Sequence, residues 1–280
     1  MPKILPVLLC ACYLSWAQPV MGHEFWLEPS NYRPATAQEI SVGLSLGDVF
    51  YQGIHGHRSD EDTVKFVANG PAGPTPVGGK VGDSPIGKIA LSTPGTYVLE
   101  YIDRAHFVEL DAPVFERYLA SKGLDNAIAV RRQRGESDKP GREAYSHFLK
   151  TIVVAGDPSR EIRDRALGLE LEVISESRLD ARRRDDTLSF KVLHHGAPLK
   201  GVLVTATRRN APTVRLFMRT DANGHVEFKL QDPDVWMIDT VYMIEAPSDL
   251  KATVRGGLVP QAAHWQSFWA SLTFELFPRQ

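Results

Sequence analysis

Between residues 40 and 46 the apolar side chains fall on every second position. Ile40, Val42, Leu44 and Leu46 alternate with Ser41, Gly43 and Ser45, the period of a strand with one buried face and one wet face. Strand-like runs recur at 64–67, 88–91, 97–102 and 148–154. The second and third of these flank the turn Thr93-Pro94-Gly95-Thr96. The pattern resumes at 169–173, 188–193, 202–207, 216–220, 226–230, 239–244 and 268–276, with turns such as His195-Gly196-Ala197-Pro198 and Asp221-Ala222-Asn223-Gly224 between runs. Short strands at this spacing predict antiparallel sandwiches. No helix and strand alternation of the kind that builds a parallel nucleotide-binding sheet is present.

One stretch departs from this period. Val114, Phe115 and Leu119 share a helical face, Gly123 is placed to end that helix, and a second short helix is predicted from Asp125 to Gln133. The run from Arg131 to Arg142 is dense in charge and reads as a solvated surface loop. Residues 155–166, with Gly156 and Pro158, carry linker composition. The expected organisation is all-β, with two antiparallel β-sandwich domains: residues 23–156, with a helical insertion at about 113–134, and residues 168–280, joined by a linker at 157–167.

The amino terminus has a different character. Lys3 precedes an apolar run from Ile4 to Leu14 that is too short to span a bilayer, the layout of a secretory signal. Small-residue rules allow cleavage after Ala17 or after Gly22, giving Gln18 or His23 as the new terminus. A lipoprotein box around Cys12 has too short an apolar run before it. Loss of 1–22 removes Lys3 and no acid, moving the formal net charge from −2 to −3. That balance argues against nucleic acid or an anionic membrane as main partner. Both cysteines, Cys10 and Cys12, leave with the signal, so the mature chain has no disulfide and no thiolate ligand. No later apolar stretch is long enough to form a transmembrane segment.

Without cysteine, the nine histidines are the natural ligands for a borderline metal. His23, as a mature first residue, offers an α-amine and a ring nitrogen to one ion, a chelate suited to Cu(II) or Ni(II). His55 and His57, spaced by one residue, point the same way in an extended segment, with Asp60-Glu61-Asp62 nearby. His106, His147, His194, His195 and His225 read as structural, and His264 as a reserve ligand. Gly43-Leu44-Ser45-Leu46-Gly47 matches the nucleophile-elbow pattern of serine hydrolases, but the alternation running through Ser45 contradicts the strand–turn–helix an elbow needs. No carboxylate spacing singles out acid/base catalysis, so the expectation is a non-enzyme.

The opening His23-Glu24-Phe25-Trp26-Leu27-Glu28-Pro29 is distinctive, as are Pro94-Gly95-Thr96-Tyr97-Val98-Leu99-Glu100-Tyr101 and the run from Gly135 to Ser146. With Gly196 to Gly201, Thr220 to Gly224 and Trp265 to Glu275, these segments resemble a bacterial exported family, domain of unknown function 4198, described as periplasmic components of nickel or cobalt uptake. The resemblance implies immunoglobulin-like or prealbumin-like sandwiches, a histidine at the mature terminus, and divalent metal handling. His147 departs from it, standing where the family carries arginine. The expected function is therefore a periplasmic protein that binds nickel, cobalt or copper through His23, His55 and His57 and delivers it to a membrane transporter, with Trp26 and Glu28 as supporting neighbours. The alternative is a structural or carbohydrate- or protein-binding module that uses Trp265 and Trp269 as a contact surface. Intact mass and terminal sequencing of the exported protein are expected to return His23 as first residue; Gln18 there would remove the terminal chelate.

Overall fold

The alternation at 40–46 builds a strand, Glu39–Gly47, that buries Ile40, Val42 and Leu44 and leaves Ser41 and Gly43 partly open. A computed structural model describes residues 23–157, 162–180, 187–230, 232–255, 257 and 260–276. The expected signal, 1–22, lies outside them. In chain order the first strands are β1 (Glu24–Pro29), β2 (Glu39–Gly47), β3 (Ile54–His55), β4 (Thr63–Gly70), β5 (Gly73–Pro76), β6 (Gly87–Ala90), β7 (Gly95–Asp103) and β8 (His106–Leu110). Two helices follow, α1 (Ala112–Ser121) and α2 (Asp125–Gln133), and then the long β9 (Gly141–Ala155). The remainder is β10 (Leu171–Ser175), β11 (Leu188–His194), β12 (Ala197–Pro198), β13 (Leu203–Arg208), β14 (Ala211–Arg219) and β15 (His225–Phe228). The chain continues through β16 (Val235–Glu245), β17 (Lys251–Thr253) and β18 (Pro260–Ala262) to β19 (Trp265–Glu275).

These strands form an all-β sandwich of three sheets. Strands β1, β2, β3 and β6 make a four-stranded antiparallel sheet, and β10, β11, β12 and β15 make another. Between them lies an eleven-stranded sheet whose main path runs β14-β13-β16-β19-β9-β7-β4-β5. Strand β9 explains the layering. Its even positions Phe148, Ile152 and Val154 join the core under β10 and β11, while Leu149, Val153 and Ala155 join the core under β1 and β2. Side chains alternate across a strand, so one strand feeds both cores. A strand covered on both faces reads as near-continuous apolar sequence, as 148–154 does.

β9 and β19 pair in parallel, Glu143 opposite Trp265 through Thr151 opposite Thr273. The central sheet thus takes strands from both sides of the expected linker, and the boundary at 157–167 separates segments of chain but not sheets. Of that linker, 158–161 lie outside the described residues. Ile162 is buried in the core and Asp164 is fully enclosed.

Two expected elements are corrected. β9 begins at Gly141 and not at 148, because its first residues pair with β8 on one side and β19 on the other. The charged run 131–142 is not simply solvated: Arg131 is 2% exposed and donates to Glu116 Oε1 and to the carbonyls of Glu136 and Lys139, each at 2.7 Å. The helical insertion matches the pattern of apolar residues. Gly123 takes φ +64°, with Leu124 N–H donating to the Leu119 carbonyl and Gly123 N–H to that of Ala120, the left-handed cap that ends a helix. Leu119 and Leu124 then pack together beneath α1.

The charged residue within the doubly covered stretch 148–154 is Lys150. Its ammonium donates to Asp164 and Glu172, both 3.0 Å away, and to the carbonyls of Arg165 (3.1 Å) and Val173 (3.2 Å), with the side chain 1% exposed. Glu172 also accepts the backbone N–H groups of Leu167, Gly168 and Leu169. The cluster staples the segment before β10 to the central sheet. Lys150→Met would strand two buried carboxylates and is expected to lower the unfolding free energy by about 3–5 kcal/mol, read from urea unfolding.

Candidate functional site

The odd positions of β9 that face the first sheet continue beyond its edge as Glu143, Tyr145 and His147, and there they line a cleft of about 300 Å³. Side chains two residues apart share a face, so the three project together. β19 supplies Trp269, directly opposite His147 in the parallel register. α1 lays Tyr118 over Trp269, the two rings stacked at 5.8 Å and 6°. From the first sheet, Phe25 stands against the His147 ring with centroids 3.7 Å apart, and His23 sits at the rim.

Beneath His147 lies a buried acid. Asp103, 3% exposed, accepts from the His147 backbone N–H through Oδ1 and from the ring Nδ1 through Oδ2, each at 2.7 Å. Burial alone would raise the Asp103 carboxyl, but the His147 imidazole beside it and hydrogen bonds from His106 and His147 hold it well below the usual carboxylate range. An ionised carboxylate only accepts, so Nδ1 of His147 carries a proton; in the neutral form of the ring the free lone pair is then the one on Nε2. That Nε2 is buried without a hydrogen-bond partner. His106 Nε2 stands 3.4 Å from the same Asp103 oxygen, and Arg255 reaches that oxygen at 3.6 Å. At the rim His23 Nδ1 meets Asp48 Oδ1 at 3.0 Å, and Arg215 donates to the Asp48 carbonyl.

Glu143 is the second buried acid of the cleft. Its Oε1 accepts from the Tyr118 hydroxyl at 2.9 Å and from Ser267 Oγ, which in turn accepts from Trp269 Nε1 at 3.0 Å. Burial pushes the Glu143 carboxyl up from the ordinary 4.5 to about 7, with the Ser267 and Tyr118 bonds opposing. Tyr118 is itself raised by burial and by Glu143.

The expected metal residues are not gathered at one place. His23 lines this cleft, whereas His55 lines a separate one with Glu28 and Ser41. His55 Nδ1 lies 3.0 Å from Ser45 Oγ, and His57 Nδ1 lies 3.1 Å from the Gly82 carbonyl. Asp60, expected as a neighbouring ligand, pairs with Arg58. Among the described residues, no group of three or more His, Cys, Asp or Glu side chains is arranged to hold a metal ion. Trp26 and Glu28 are joined to each other at 3.3 Å on the His55 side.

Ser45 lies mid-strand in β2 and donates to Glu28 Oε2 at 3.0 Å. The carboxylate there meets the serine and not the histidine, so the hydrogen-bond order of a hydrolase triad is not made. Trp265 and Trp269 are 2% and 8% exposed, so Trp265 is closed off and Trp269 shows only as part of the cleft wall. Glu143, His147 and Asp103 are the residues that pattern reading passed over. The signal they carry is chemical: charged or titratable side chains inside strands that are otherwise apolar.

A family model described as a domain of unknown function (DUF4198) matches residues 20–244. No curated protein matches the chain. Among solved structures, the chain is similar to dimeric latent PorU from Porphyromonas gingivalis at 11% identity, with 89% of this chain covered and a TM-score of 0.18. It spans 20% of that protein's chain, and a likeness this loose carries no argument about fold or activity.

The raised Glu143 carboxyl makes stability depend on pH. Unfolded, it titrates near 4.5; folded, near 7. Between these values the native state holds the extra proton, so stability is greatest below the window and falls as pH rises through it. Glu143→Gln, neutral throughout, is expected to flatten that fall by up to about 1.4 kcal/mol per pH unit in urea unfolding. A remaining slope is expected from Asp239, pushed up to about 7 by burial and then by Glu24.

Proposed function

The chain belongs to the DUF4198 family, and from that premise we propose that it is an exported periplasmic protein that binds one divalent transition-metal ion at the rim of the His147 cleft and hands it to a membrane uptake system. The ion is cargo and not a catalytic cofactor.

The observation that carries this reading is the state of His147. Its Nδ1 is pinned to buried Asp103 and its buried Nε2 has no hydrogen-bond partner. A carboxylate that orients a histidine and raises its basicity is the usual outer partner of a metal ligand. His23 lines the same cleft. With residues 1–22 attached, its backbone nitrogen is an amide and a poor donor. Their removal converts that nitrogen into an amine that loses its proton readily to a metal. The amine and the His23 ring then offer two nitrogens to one ion, and His147 Nε2, on the same cleft, is the further nitrogen we assign to it. Nitrogen-rich sites of this kind suit Ni(II), Co(II) and Cu(II). Cu(II) binds tightest to almost any such site, so metal supply decides which ion is carried. His55 and His57, each engaged elsewhere, are left out of the set.

Calorimetric titration of Ni(II), Co(II), Cu(II) and Zn(II) into protein beginning at His23 is expected to show one tight site. His23→Ala and His147→Ala are expected to abolish it. Asp103→Asn, which keeps the shape and removes the orienting charge, is expected to weaken it by roughly 10–100-fold. Protein retaining Met21 and Gly22 is expected to bind weakly although every side chain is present. Equal binding by all forms would overturn the site.

A further inference from the structure

Glu143 is a buried acid that no cation answers. It is 2% exposed, and both hydrogen bonds to its Oε1 come from neutral hydroxyls, those of Tyr118 and Ser267. Among the described residues it makes no salt bridge. The cations nearby are already engaged. Lys122, which approaches the Trp269 ring to 5.1 Å, is held by Glu24 at 2.6 Å. Arg255 is drawn to Asp103 at 3.6 Å, and Arg142, next along the strand, to Glu109 at 2.7 Å. Buried carboxylates in proteins are paired or bound to an ion, because an isolated one loses its hydration without return.

The space beside Glu143 has a definite chemistry. Phe25, Tyr118, Tyr145 and Trp269 line it together with His23, His147 and Arg255, whose guanidinium is turned to Asp103, and the cleft, about 300 Å³, is at the small end of ligand sites. Aromatic faces attract cations electrostatically, more so where water is excluded. With Arg255 committed to Asp103, the aromatic faces and the Glu143 carboxyl are the parts of this lining that favour a positive charge on an apolar body over a neutral or negative one. Glu143 Oε1 is occupied by the two hydroxyls, which leaves Oε2 as the oxygen to meet such a group.

We propose that this cleft binds a small organic cation, an amine whose ammonium group pairs with Glu143 and whose apolar body lies against Phe25, Tyr145 and Trp269. The amine's ion partner, Glu143, is not one of the metal donors, which are nitrogens of His23 and His147 on the same cleft.

Three probes of similar shape test this by calorimetry and by the fluorescence of the cleft tryptophan: phenethylammonium, 2-phenylethanol and phenylacetate. Phenethylammonium is expected to bind roughly tenfold or more tighter than the alcohol, with phenylacetate weakest. Glu143→Gln, of the same shape, is expected to erase the preference for the cation over the alcohol. The amine series is run with a chelator present and metal binding is titrated without amine, so loss of the metal site and loss of the amine site are read separately. Equal binding of cation and alcohol, a preference for phenylacetate, no binding of any probe, or an unchanged preference in a folded Glu143→Gln protein would each overturn the proposal. Should Glu143→Gln fail to fold, the ranking of the three probes on the unaltered protein still decides it.

Discussion

Strand β9 delivers side chains of opposite parity into two different cores, and everything else is arranged around that requirement. Phe148, Ile152 and Val154 need the β10 sheet above them, while Leu149, Val153 and Ala155 need the β1 sheet below. Neither flanking sheet has a partner except through the central one. Lys150 is the point where the constraint is hardest to satisfy, since an ammonium group cannot be left bare between packed layers. Its answer is a complete set of oxygens drawn from residues 164–173, and meeting it fixes the course of the chain between the two outer sheets.

The cleft grows out of the same strand. Lys150 and His147 are both polar side chains in a buried strand, but the protein treats them differently. Every proton of Lys150 finds an acceptor, so the residue does only structural work. His147 is satisfied on one nitrogen and left open on the other, and Glu143 is given neutral donors but no counter-charge. Native interiors rarely leave buried polar groups incomplete. His147 Nε2 is one such group, and it shares a hollow with Glu143, four residues away.

Much of this architecture is legible in the sequence. Residues 40–46 alternate without exception, and β2 follows them; Gly123 stands where a left-handed cap is required, and the helix ends there. What escaped was whatever depends on residues far apart in the chain. A parallel pair such as β9 and β19 has no connecting turn to announce it. The expected boundary at 157–167 was therefore read from local composition, which says nothing about a sheet shared across it. His23 was singled out by its place next to a cleavage signal, and it does lie at the cleft. His55 and His57 were singled out by spacing alone, and spacing does not tell which neighbour a ring will meet. His147 looked structural because its strand is apolar, although a titratable group in such a strand is the better reason to ask what it faces.

The parallel seam has a consequence for how the protein is made. Ser267 and Glu143 touch across 124 residues of sequence, and β19 is the last strand of the described fold. Until it arrives, β9 has one open edge and the cleft lacks the wall that Trp269 provides. Contacts of such long separation form late, because the loop between them must first be closed. Ripening of the cleft thus waits on β19, and a chain cut short before that strand would lack the wall that Trp269 provides.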